Sequence, residues 1–83
     1  GAPEGVEAYL PLAGLVDLEQ EIDRLEKSLA TAEHEIQRSE EMLANESFTS
    51  KAPAHVVQQQ RDRLAAARER YLRLQTRLEA LEG

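Results

Sequence analysis

The residues best placed to do chemistry in this chain of 83 residues are arginines. Arg24, Arg38, Arg63, Arg70, Arg73 and Arg77 recur at spacings that put them on one side of long helices. A guanidinium binds phosphate oxygens through two parallel hydrogen bonds, and each phosphate neutralised releases counterions additively. Two blander roles compete: a solvated charged face, and partners for carboxylates on a neighbouring helix. Other chemistries find no support. His34 and His55 are isolated, and no cysteine is present to join them in a metal site. No nucleophile is paired with a base, no glycine loop cradles phosphate, and the carboxylates fall on exposed helix faces without a pocket. The sequence therefore predicts no catalytic and no metal-binding residue.

The composition of Glu, Ala, Leu, Arg and Gln is that of a long helix or coiled coil. A chain this short buries too little surface for a thick core, so a slender all-α object is expected. Residues 1–5 read as a tag remnant or disordered lead-in. Over 6–16 an extended linker is expected, because Val6, Ala8, Leu10 and Leu12 alternate with other residues and Pro11 biases Leu10 away from helix. Its apolar side chains would pack on the hairpin's open end or on a missing part of a larger protein. Asp17 with Gln20 makes a capping-box pattern, and a first helix is predicted over 17–45, ending at Asn45. Its heptad series are Leu15, Ile22, Leu29, Ile36, Leu43 and Leu18, Leu25, Ala32, Ser39. A turn over 46–52 follows. The second helix, over 53–82, starts at Pro53, which suits the first helical position. Its series are Val57, Leu64, Tyr71, Leu78 and Gln60, Ala67, Leu74, Leu81.

A connection this short forces the helices antiparallel. The predicted fold of 17–83 is an antiparallel coiled-coil hairpin, with layers Leu43–Gln60, Ser39–Leu64, Ile36–Ala67, Ala32–Tyr71, Leu29–Leu74, Leu25–Leu78 and Ile22–Leu81. Small faces large at Ala32 and Ala67, as a packed seam requires. A slip of one heptad would set Leu29 against Ala67.

The net charge of −6 conceals a segregation. Residues 17–46 hold ten acids against three bases, whereas residues 55–78 hold six arginines against Asp62 and Glu69. Flanking the seam, Glu faces Arg on both sides, so Arg61, Arg68 and the series Arg63, Arg70, Arg77 have a structural role available to them. Arg24, Arg38 and Arg73 lie too far round for the seam. One broad face thus gathers six arginines against Asp17, Glu21 and Glu35, and the opposite face is acidic. Leu72, on the acidic face, is a large apolar side chain that the seam leaves unused.

The turn carries a more specific signal. Phe48-Thr49-Ser50-Lys51-Ala52-Pro53, followed by Val56-Val57 and Arg61-Asp62-Arg63-Leu64, resembles the turn signature of the C-terminal arm of bacterial valyl-tRNA synthetases. The passage from Tyr9 to Glu19 resembles the one with which that family enters the arm, so the likeness spans almost the whole chain. The chain departs from the family pattern at Ala54-His55, where an acidic residue is usual, and at Met42, where a basic one is common.

The resemblance implies a non-catalytic arm, tethered to the synthetase body, that reaches the outer corner of tRNA(Val) where the D and T loops meet. It assists aminoacylation with valine and takes no cofactor, ATP being used by the catalytic part of the parent ligase. The RNA-contact candidates are Arg24, Arg38, Lys51, Arg63, Arg70, Arg73 and Arg77. Phe48, Pro53 and Val57 are read as structural residues of the turn, Phe48 closing on Leu43 and Val57, with stacking on an exposed base or base pair as its rival role. Lys51 has a second role open to it, capping the last carbonyls of the first helix. The implied partners are tRNA(Val) and the synthetase body, in the cytoplasm, with no membrane. The fragment is expected to be monomeric or weakly self-associating. Two other readings stay open: a structural or protein-docking hairpin without RNA contact, and the C-terminal coiled coil of a translation-associated ATP-binding-cassette protein, which the Lys51-Ala52-Pro53 turn does not support.

Overall fold

A computed structural model of the chain describes the backbone from Ala2 and the side chains from Gly14 onward. Three helices follow one another: α1 (Ala2–Ala44), α2 (Glu46–Lys51) and α3 (Ala54–Glu82). Among the described residues there is no strand. α1 packs along α3, with α2 forming the bend between them. The result is a rod of 73 × 19 × 13 Å.

From Leu18 onward the predicted seam is the buried one, whereas Leu15, the first member of its heptad series, is exposed. Leu25, Ala32, Ser39, Val57, Leu64 and Ala67 are buried, and the remaining heptad positions from Leu18 to Leu81 are half-buried. Nearly every other helical position is exposed. Such a single seam is what two helices can exclude from water when no third element covers them.

Cross-helix ion pairs mark the register. Arg68 reaches Glu40 at 2.8 Å, Arg70 pairs with Glu35, and Arg77 lies 3.9 Å from Glu21. With Ser39 opposite Leu64, Arg68 stands about five residues along from the level of Glu40, within reach of two long side chains. In the slipped register it would stand about twelve residues away, roughly 18 Å at 1.5 Å per residue. Those exposed pairs each contribute at most about 1 kcal/mol, so they report the register more than they create it. Ser39 Oγ donates to Gln60 Oε1 at 3.5 Å, bridging the two polar seam positions near the turn.

Three boundaries differ from expectation. α1 is helical where an extended linker over 6–16 was predicted, and Asp17 is an exposed interior residue rather than a cap. A capping pattern marks a permitted start, not an obligatory one. Once a helix exists, each added residue gains a backbone hydrogen bond, and Gly14-Leu15-Val16 contains no proline to stop it; α1 also runs through Pro11, whose missing N–H forgoes one such bond. The suggested packing of the lead-in falls outside the described side chains, while the backbone of residues 2–5, read as part of a tag remnant or disordered lead-in, is already in α1. Second, the turn is itself helical over Glu46–Lys51. Asn45 ends α1 by starting α2: its extended backbone lets its side chain accept from Ser47 N–H at 3.0 Å. Third, Pro53 precedes α3 rather than opening it, accepting from Val56 and Val57 N–H at 2.9 and 3.2 Å. Ala52 is extended (φ −73°, ψ 148°), as a residue before proline should be.

Candidate nucleic-acid interface

The heptad geometry lines the candidate arginines along one face, and the structure sorts them into unlike groups. At the end away from the turn, Arg24 and Arg77 converge on Glu21. Arg24 Nη2 donates to Glu21 Oε2 at 2.5 Å, one helical turn along. The Arg77 guanidinium lies 3.9 Å from the other carboxylate oxygen, which is shielded from solvent. The hydrogen bond from Arg24 holds the Glu21 carboxyl below its ordinary range; partial desolvation opposes this, and the charges of Arg24 and Arg77 reinforce it. The same hydrogen bond raises the Arg24 guanidinium. One carboxylate thus serves two guanidiniums, leaving a net positive spot whose donors are already oriented.

Arg73 leans along its own helix, 3.7 Å from Glu69. On the acidic face, Arg68 takes the seam-bridging role expected of it, while Arg61 has no carboxylate within ion-pair distance among the described residues. Lys51 is exposed in the last turn of α2, and among the described residues it makes no hydrogen bond to an α1 carbonyl. Phe48 is half-buried and Val57 buried, beside the exposed Pro53.

Nearer the turn, Arg38 on α1 and Arg63 on α3 stand on opposite rims of a groove of about 460 Å³. Both are exposed, and among the described residues neither has an acidic partner. Arg70 shares this groove but is bound to Glu35. The floor and walls come from Ser39, Met42, Gln60, Ala66 and Ala67, and Glu35 also lines the groove beside Arg70. Arg24 and Arg38 are fourteen residues apart on α1, about 21 Å, so the rod presents two basic clusters rather than one continuous stripe.

The seven candidate cations therefore separate by availability. Arg38, Arg63 and Lys51 are free of acidic partners among the described residues; Arg24, Arg70, Arg73 and Arg77 are engaged. Gln60, Met42 and Ala66 were not singled out as contact residues from the sequence. The signal that finds them is the meeting of Ser39, Ala66 and Ala67, three small side chains brought together by the register. No cluster of His, Cys, Asp or Glu suited to a metal ion occurs among the described residues. None of the described helical segments is long and apolar enough to cross a membrane.

Comparison with known proteins adds independent evidence. Residues 17–82 match a family model described as the valyl tRNA synthetase tRNA binding arm. The chain is 43% identical over 79 residues to a valine–tRNA ligase of Thermotoga maritima, covering 95% of this chain and 9% of that protein. It is 44% identical over 79 residues to one from Symbiobacterium thermophilum, with 95% and 9% covered, and 51% identical over 57 residues to one from Geobacillus stearothermophilus, with 69% and 6% covered. The chain thus spans less than a tenth of the length of these curated relatives. No solved structure matches.

Proposed function

The chain belongs to the valyl-tRNA synthetase tRNA-binding-arm family, and from that premise we propose that it is the non-catalytic arm of an ATP-dependent valine–tRNA ligase. In this reading the arm contacts the outer corner of tRNA(Val), where the D and T loops meet, and assists aminoacylation. The observation that carries it is the basic face, above all Arg38 and Arg63 on opposite helices, which have no acidic partner among the described residues. Structured RNA offers shape and phosphate rather than an accessible deep groove, and a stiff rod bearing guanidiniums suits such a target.

The arm takes no cofactor of its own; ATP is the business of the catalytic part. It acts in the cytoplasm with two partners, the tRNA and the synthetase body. Tethering raises its effective concentration at the tRNA, so modest contacts suffice. Arg38, Arg63 and Lys51 meet phosphates directly. Arg24, Arg73 and Arg77 do so by sharing or leaving their carboxylates, whereas Arg70 is held back by Glu35.

A second reading, a docking hairpin without RNA contact, has one observation in its favour. Leu72 is 61% exposed on the acidic face, and Leu15 and Val16 are exposed toward the end where α1 outruns α3. Backbone-cleavage footprinting of tRNA(Val) on the parent synthetase separates the two. The RNA reading expects protection at the D-loop and T-loop corner that disappears when residues 17–83 are removed. An identical footprint without the arm would favour docking.

A further inference from the structure

The groove beside the turn is built in a way that phosphate binding alone does not require. Phosphate contacts need only an open basic face, which the Arg24–Arg77 end already offers. Between Arg38 and Arg63 the surface instead sinks into a recess of about 460 Å³, within the size range of sites for small organic ligands. The recess exists because Ser39, Ala66 and Ala67 are short where longer side chains would fill it.

Two further side chains give the recess chemical character. Met42 lies along it and is 38% exposed, a large apolar side chain left open to solvent. Its thioether is polarizable and makes favourable contacts with aromatic rings. Gln60 occupies a seam position where an apolar residue is the rule. Its carbonyl oxygen accepts from Ser39 Oγ, while among the described residues its amide N–H groups donate to nothing. An amide with spare donors beside a soft apolar wall suits the edge and the face of a planar heterocycle. The guanidiniums of Arg38 and Arg63 flank it from the two helices.

Resting on the RNA-binding reading above, we infer that this groove seats one unstacked nucleotide of the bound RNA. The base lies against Met42 and Ala66 and presents its edge to the Gln60 amide. The phosphates on either side of it meet Arg38 and Arg63. Glu35, by holding Arg70, keeps a third cation off the same backbone. Unpaired bases are the parts of a folded RNA that expose both an edge and a π-face, and a base stacked on a side chain survives or is lost as a unit. The groove therefore distinguishes a splayed nucleotide from a continuous helix, which the basic face alone does not.

The test compares Gln60→Leu, Met42→Ala and wild type in the parent synthetase. The probes are a tRNA transcript and copies carrying a single abasic site at each unpaired position. Gln60→Leu puts an apolar side chain into the seam but takes away the partner of the buried Ser39 hydroxyl, so its melt by circular dichroism is recorded beside its binding. Met42→Ala alters a surface position, so its folding is not at stake. Each variant is expected to weaken tRNA binding about fivefold or more, the scale of one stacked base. One abasic position should weaken wild type similarly and leave the variants no further loss. Wild-type affinity for both variants, or additive losses with every abasic site, would overturn the groove assignment. If removing residues 17–83 weakens binding while these variants do not, the groove proposal alone fails. If the removal also changes nothing, the RNA reading fails with it.

Discussion

Replacing Glu35 by Gln should weaken the hairpin and strengthen its hold on RNA. Glu35 and Arg70 are partners across the seam, with side chains 50% and 49% exposed. At that exposure water screens the pair, and its loss costs at most about 1 kcal/mol, or a melting temperature lowered by up to about 6 °C in a domain of this size. The effect on RNA has the opposite sign. Arg70 lines the groove with Arg38 and Arg63 but spends its guanidinium on Glu35. Freed, it becomes a third phosphate contact, and the repulsion of a carboxylate beside the groove is removed. One added contact steepens the dependence of log affinity on log salt by about 0.7 to 0.9. Between 50 and 200 mM salt the variant should therefore lose roughly threefold more affinity than wild type, starting from tighter binding at low salt. Thermal melts by circular dichroism and tRNA binding across that salt range read both effects, and Glu35→Gln with Arg70→Gln should lose the part of the gain that Arg70 supplies and return the salt slope to the wild-type value. A folded Glu35→Gln arm with unchanged affinity and slope would refute the idea that Glu35 withholds Arg70 from phosphate.

Other perturbations test the seam, the turn and the Glu21 cluster. Leu64→Ala removes a buried seam side chain and should destabilise by about 2 kcal/mol or more. Leu72→Ala, at an exposed position, should stay within about 0.5 kcal/mol; urea denaturation of both would expose a wrong seam if the order were reversed. Asn45→Ala deletes the α2 cap and should cost about 1 kcal/mol, with hydrogen exchange quickening first at Ser47 and its neighbours; uniform exchange would contradict a local role. Because the Glu21 carboxyl titrates below its unfolded value, its stabilisation is fully present above the ordinary carboxylate pKa of about 4.3. It is lost as pH falls through the folded value. The stability difference between wild type and Glu21→Gln should then hold from neutral pH to about 5 and close in stronger acid, where a persistent gap would contradict the Arg24 linkage.

Much of this architecture is legible in the sequence because a coiled coil writes its contacts at fixed intervals. Leu25, Ala32, Ser39, Leu64 and Ala67 declare the seam, and the pairing of small with large positions selects the register that Arg68–Glu40 and Arg70–Glu35 then mark. Ends of helices are less legible. Asp17 and Gln20 form a sound capping pattern that α1 passes through, since nothing local obliges a helix to begin at its best cap. The short helix α2 is hidden by Ser47, Thr49 and Ser50, which read as loop, and only Asn45 announces it. The groove is least legible. It depends on the volumes of Ser39, Ala66 and Ala67 together, and on which arginines find a carboxylate. Arg63 and Arg70 occupy equivalent heptad positions, yet among the described residues Arg70 pairs with a carboxylate and Arg63 does not. That difference arises from Glu35 and Met42 across the seam.

The most direct measurement is tRNA binding by the parent synthetase with and without residues 17–83, repeated across salt. The account predicts marked weakening on removal, with a shallower salt slope, because the arm's arginines no longer displace counterions from phosphate. Unchanged affinity and slope would contradict it, and would leave the hairpin a docking element whose basic face is ordinary solvated surface.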